Sequence, residues 1–241
     1  MEAWIVAALI AAGAVLLWNR WRQLARAEFI RNYTFPHGLF AKLNAKRPQL
    51  DTKQMQLVAR ALRQFFLAYL RGGKQYVSMP SQVTDDLWHE FILYTRHYDA
   101  FCKRAFGGFL HHTPAVVLSR DRQNNSGLRR VWWYACKEEN INPRKATRLP
   151  LLFALDSKLG IADGFVYRPD CKKVRPPEQD VLADGATVHC GGDFSDRSFD
   201  GSIDGFGSGD SSLGDSIPGG DGGSGCGGDS GCGGGCGGGG D

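Results

Sequence analysis

Asp85, Trp88, His89, Tyr98, Cys102, His111 and His112 all fall between Ser81 and Pro114. A helix with only packing to do would carry leucines there. Asp85 and His89 stand four residues apart, on one helical face. Gly107-Gly108 then interrupt the helix and Phe109-Leu110-His111-His112 follow, so the chain can turn back and set His112 or His111 beside His89. Two imidazoles and a carboxylate can hold zinc or another divalent ion with one coordination position open. The carboxylate can instead stand behind the ligands and fix the His89 tautomer. The expected metal ligands are Asp85, His89 and His112, with His111 and Cys102 as alternates.

Each of these residues also has a plainer use. Asp85 and Asp86 sit in the first turn of their helix, where carboxylates are stabilised by the helix dipole. An Asp85–His89 hydrogen bond could simply lock a buried corner. No HExxH or paired CxxC spacing occurs, and no catalytic signature is complete, so the sequence leans away from an enzyme. Cys102 lies 13 residues after His89, about 220° around a helix, and reads as a buried, inert thiol. His97, between Arg96 and Tyr98, reads as solvated, while His37 and His189 show no partner. Cys190, Cys226, Cys232 and Cys236 could take soft metals or pair by oxidation, and the glycines around them offer no preorganised metal geometry.

The elements that must position the cluster are helical. Asp51-Thr-Lys-Gln54 approaches a capping box, and Met55, Val58, Leu62, Phe65, Phe66, Tyr69 and Leu70 recur at helical spacing until Gly72-Gly73. Tyr76–Pro80 should be extended, because the residue before proline avoids the α region. Ser81 caps a central helix expected to run to about Phe106, with Leu87, Phe91, Tyr94, Tyr98, Phe101 and Ala105 as its core stripe. A polar loop at Arg120–Ser126, helices near Leu128–Glu139 and Leu149–Leu159, and a brief extended piece at Gly164–Tyr167 complete the body. Sustained strand alternation is absent, so the expected fold is mainly α with little sheet.

Around this body the chain changes character twice. Ala3–Trp18 carries no charge and spans roughly 24 Å, with Trp4, Trp18 and Trp21 at its edges. Glu2 before it and Asn19-Arg20-Trp21-Arg22 after it fit a retained anchor over 3–21 better than a cleaved signal. Arg20, Arg22, Arg26 and Arg31 put the N-terminus outside and the body, residues 32–175, in the cytoplasm. An odd count of seven cysteines without a small-scaffold framework suits a reducing compartment. Residues 176–241 should form a disordered tail: 23 of the last 57 residues are glycine. The tail carries net −11 and residues 1–175 carry net +15, so the overall +4 conceals a basic body and an acidic tail.

The order Met79-Pro80-Ser81, Asp85-x-x-Trp88-His89, Tyr98-x-x-Phe101-Cys102, Phe106-Gly107, His111-His112-x-Pro114 resembles the glycine-rich domain-containing protein family of plants and bacteria. Arg148-Leu149-Pro150-Leu151-Leu152-Phe153-Ala154-Leu155-Asp156 is similar to that family's downstream segment, and the likeness runs over roughly residues 35–172, closest to bacterial members. It implies a fold and a candidate site more than an activity. Plant members tend to carry a second histidine two places after the first, where this chain has Phe91.

The expected function is that of a single-pass membrane protein of the bacterial inner membrane, acting as a membrane-tethered interaction or binding module. The alternative is a metal-binding protein or metal-dependent hydrolase using Asp85, His89 and His112, with a divalent ion such as zinc. Expected partners are the lipid bilayer, a protein or anionic surface facing the basic body, and the chain's own acidic tail. Nucleic acid is not expected, because the lysines and arginines are dispersed.

Overall fold

A computed structural model describes residues 2–112, 122–169, 188–191 and 194 of the chain. Among the described residues the protein is mainly α, with seven helices and one two-stranded sheet. Helix α3 (Thr52–Arg71) is central and packs against α1 (Glu2–Arg31), α4 (Gln82–Leu93), α6 (Arg122–Glu138) and α7 (Leu151–Leu159). Its start is the capping box read from the sequence. The Asp51 carboxylate accepts the Gln54 N–H at 2.7 Å, and Gln54 Oε1 accepts the Asp51 N–H at 2.9 Å. Its end, Gly72, is where α6 crosses: a Cβ there would stand 2.7 Å from Arg130 Cδ. The buried stripe Val58, Leu62, Phe65, Phe66 builds an aromatic core, with Phe65 4.9 Å from the Trp88 ring and Phe66 4.9 Å from Phe101.

Helix α1 is longer than the expected anchor. It continues unbroken to Arg31, about 45 Å in all, and its two ends differ. It is the one described helix long and apolar enough to cross a membrane, and its most apolar window is not buried at all. The last turns belong to the body. Ala27 and Ile30 are buried, Phe29 lies 5.8 Å from Phe101, and the Arg104 guanidinium sits 4.3 Å over the Phe29 ring. The folded body therefore begins inside α1, before residue 32.

The expected central helix is two helices. Helix α4 ends at Leu93, and α5 (Thr95–Ala105) begins after Tyr94, whose ψ of 59° leaves the helical region. The break lets the halves serve different neighbours: α4 packs on α3, α7 and α2 (Leu39–Lys46), and α5 packs on α1. Helix α2 has no counterpart in the sequence reading, and α6 starts at Arg122, inside the stretch expected to be a polar loop.

Strand β1 (Val166–Arg168) falls at the expected extended piece and pairs in parallel with β2 (Val188–Cys190), Tyr167 opposite His189. Strand β2 and Phe194 lie in the stretch expected to be disordered, yet they belong to the body. Phe194 is fully buried, 5.2 Å from Trp132 and 5.5 Å from Phe153, and its carbonyl accepts from Arg129 Nε at 3.2 Å. A glycine-dominated average hid these few apolar residues at its head. The rest of the expected tail lies outside the described residues. Cys102 and Cys136 are buried free thiols, and Cys190 is disulfide-bonded, one of the two alternatives open for it from the sequence.

Candidate metal centre

The site starts from the way α4 is tethered. Asp156, on α7, reaches the N-terminus of α4 with both carboxylate oxygens. Oδ1 accepts from Ser81 Oγ at 2.8 Å and from the Val83 N–H at 3.2 Å. Oδ2 accepts from the Gln82 N–H at 2.7 Å and from the Phe165 N–H at 3.0 Å. Ser81 Oγ in turn accepts the Thr84 N–H at 3.3 Å. Amides that a helix start leaves unpaired are thus satisfied by a carboxylate from another element, at the positive end of the dipole. Burial pushes the Asp156 carboxyl up, against the opposing pull of its four donors. Sequence reasoning quoted Asp156 without giving it this role. Its one signal was a lone acid directly after the apolar run Leu151–Leu155.

The next turn divides two adjacent acids. Asp86 points to α2, held by Arg47 Nη2 at 2.7 Å and Lys46 Nζ at 2.5 Å. Asp85 points the other way, and only 4 % of its side chain is exposed, so it needs partners of its own. They are two imidazoles. Asp85 Oδ1 lies 2.9 Å from His112 Nε2, and Oδ2 lies 3.4 Å from His89 Nδ1. The two rings lie tilted by 44° with centroids 4.1 Å apart, and His112 is backed by Trp88 at 4.5 Å. One ligand atom from each of Asp85, His89 and His112 lies within 4.8 Å of the others. Two ligand atoms on a tetrahedral zinc, at bonds of ~2.0–2.1 Å, stand about 3.3 Å apart, a value bracketed by the 2.9 and 3.4 Å of the two carboxylate–imidazole pairs. The His89 side chain is 47 % exposed, which leaves the solvent side open for a water or a fourth ligand.

His112 comes from beyond α5 and is placed by its backbone. Tyr98 Oη donates to the Leu110 carbonyl at 2.5 Å and accepts from Trp88 Nε1 at 3.2 Å. Burial pushes the Tyr98 hydroxyl up, so it remains a donor. Cys102 is buried close to Leu110 and Tyr98, and that burial pushes its thiol up. Tyr98→Phe leaves the indole N–H and the Leu110 carbonyl unpaired, at a cost of about 1–3 kcal/mol. Zinc affinity of this variant should fall roughly tenfold with the saturating stoichiometry retained, as read by competitive titration. Unchanged affinity would show that Tyr98 does not position His112.

The other sequence candidates fall elsewhere. His111 is exposed and rests 5.1 Å from the Phe109 ring, outside the trio. Cys102 is buried and also outside it. His37 and His97 are exposed, and His189 sits on β2 with its ring 5.7 Å from Tyr167. Phe91 is fully buried, 5.2 Å from Phe35 and 5.3 Å from Tyr98, so that position faces the core and the second imidazole comes from His112 instead.

No curated protein and no solved structure matches the chain. Residues 25–194 match the UCP032817-like family. The match begins in the last turns of α1, where burial begins, and ends at Phe194, which closes the core against Trp132 and Phe153. It omits the apolar half of α1 and the glycine-rich end, and it takes in the Asp85–His89–His112 cluster with the elements that hold it. On a match covering most of its length, the chain belongs to the UCP032817-like family.

Proposed function

We propose that the chain is a membrane-anchored divalent-metal-binding module whose ligands are Asp85, His89 and His112. The observation that carries this reading is the convergence of those three ligand atoms within 4.8 Å, from α4 and from a loop beyond α5. Sharing one buried carboxylate brings the two imidazoles to one edge, as a three-ligand zinc site with an open position requires. Zinc titration of the full-length chain in a neutral detergent tests it. One site per chain is expected, lost in Asp85→Asn, and weakening as pH falls because protons compete for the imidazoles. Zinc binding equal in wild type and Asp85→Asn would overturn the assignment.

A metal-dependent hydrolase is the second reading, favoured by the open His89 side, where a bound water would gain acidity.

The anchor reading rests on α1, and the arginines that follow its apolar half support a cytoplasmic body. The disulfide at Cys190 favours the opposite side, since such bonds persist in oxidising compartments. Labelling of His89→Cys, an exposed position, in a chain with Cys226, Cys232 and Cys236 replaced by serine, by a membrane-impermeant maleimide in intact cells separates the two. Protection until lysis is expected for a cytoplasmic body, and labelling of intact cells would reverse the topology.

A further inference from the structure

On the face of α3 away from the trio lies a cavity of about 450 Å³, lined by Arg60 and Arg63 from α3, Arg31 from α1, and Glu138 and Glu139 from the end of α6. Its acids are fully engaged. Glu138 takes Arg31 Nε at 2.8 Å and Nη2 at 3.2 Å, and pairs with Arg71. Glu139 accepts from the Leu151 N–H at 2.6 Å, Gln64 Nε2 at 2.9 Å and Arg148 Nη1 at 2.5 Å. Burial works to raise the Glu139 carboxyl, and these donors outweigh it and hold the group below its usual range.

Its cations are not balanced in the same way. Arg60 and Arg63 share the cavity with Glu138 and Glu139 but form no ion pair with them or with another described carboxylate. Arg63 donates Nε and Nη2 to one neutral acceptor, the Tyr33 carbonyl, at 3.0 and 2.7 Å, and lies 5.0 Å over the Phe35 ring. Burial pulls its guanidinium down, as expected for a charge stripped of water without a counter-ion. An anion entering the cavity would relieve that cost.

We propose that this cavity binds a phosphate-bearing anion between Arg60 and Arg63. Two guanidiniums match a dianion better than a single carboxylate, and their planar forks fit tetrahedral oxyanions with paired hydrogen bonds. The volume is that of a small-ligand pocket. Ten residues of α1 separate Trp21 from Arg31, about 15 Å of helix, so the cavity is within reach of either a soluble phosphomonoester or a lipid phosphate near the anchor.

The test uses the full-length chain in neutral detergent, then in nanodiscs. Inorganic phosphate and glycerol phosphate are the soluble probes, with chloride at equal ionic strength as control. Nanodiscs with and without phosphatidic acid supply the lipid source. The expected result is a saturable rise in melting temperature with a Kd below about 1 mM, weakened about tenfold in Arg60→Gln and in Arg63→Lys. Arg60 is exposed, so Arg60→Gln leaves the fold and zinc binding intact. Asp85→Asn keeps the phosphate response, which separates this cavity from the metal site. A response to soluble phosphate identifies a soluble ligand, and one confined to phosphatidic acid identifies a headgroup; both support the site if lost with Arg60. No saturable response to either source, or one unchanged in both arginine variants, overturns it.

Discussion

Asp156→Ala should lower the stability of the body by about 3–5 kcal/mol and empty the metal site with it. The carboxylate is the shared acceptor for Ser81 Oγ and for the amides of Gln82, Val83 and Phe165. Its removal leaves four donors unpaired in a place where only 2 % of the residue is exposed. It also removes the negative charge at the start of α4, a further fraction of a kcal/mol. Asp156→Asn should fail in a similar way, because its amide nitrogen would face N–H donors. Thermal unfolding of the full-length variants in detergent reads the first effect, and zinc titration below the melting range reads the second. A variant that melts with wild type would mean that α4 is held by its apolar face alone.

His112→Ala should reduce zinc affinity about a hundredfold or more, and should cost about 1–3 kcal/mol of stability, because it takes from the buried Asp85 carboxylate its closer partner. His89→Ala should cost a similar factor. His111→Ala and Cys102→Ala should change affinity little, since neither belongs to the trio. The contrast between neighbouring His111 and His112 is the sharpest feature of the set. General basicity of the loop would make them equivalent, whereas the geometry sets His112 beside Asp85 and His89 and leaves His111 at the surface. Equal losses in both variants would contradict the assignment.

Much of this arrangement was legible before any coordinates. The Asp85–His89 spacing set both groups on one face, and the glycine pair after Phe106 gave the chain its return toward them. The capping box at Asp51 was visible because its donors and acceptors are local. What the sequence hid was non-local. The tether of Asp156 to α4 joins residues 73 to 75 positions apart, and no spacing rule reaches that far. The break at Tyr94 has no proline or glycine to mark it; it reflects the different packing partners of α4 and α5. Strand β2 and Phe194 escaped because composition was averaged over a glycine-rich segment whose first residues pack into the core.

The choice between His111 and His112 was open for the same reason. It is fixed by the hydrogen bond from Tyr98 to the Leu110 carbonyl, a contact between α5 and the loop that follows it. Phe91 shows the converse. A pattern read along the helix made its missing histidine look like half a site, while the fold supplies the second ring from 23 residues past His89.

Zinc-edge X-ray absorption on the purified full-length chain tests the metal assignment most directly. One zinc per chain is expected, bound by nitrogen and oxygen alone at ~2.0–2.1 Å, with the multiple-scattering signature of two imidazoles that falls to one in His112→Ala. Zinc ligated by sulfur at ~2.3 Å, or the same two-imidazole spectrum in His112→Ala, would place the ion elsewhere and contradict it.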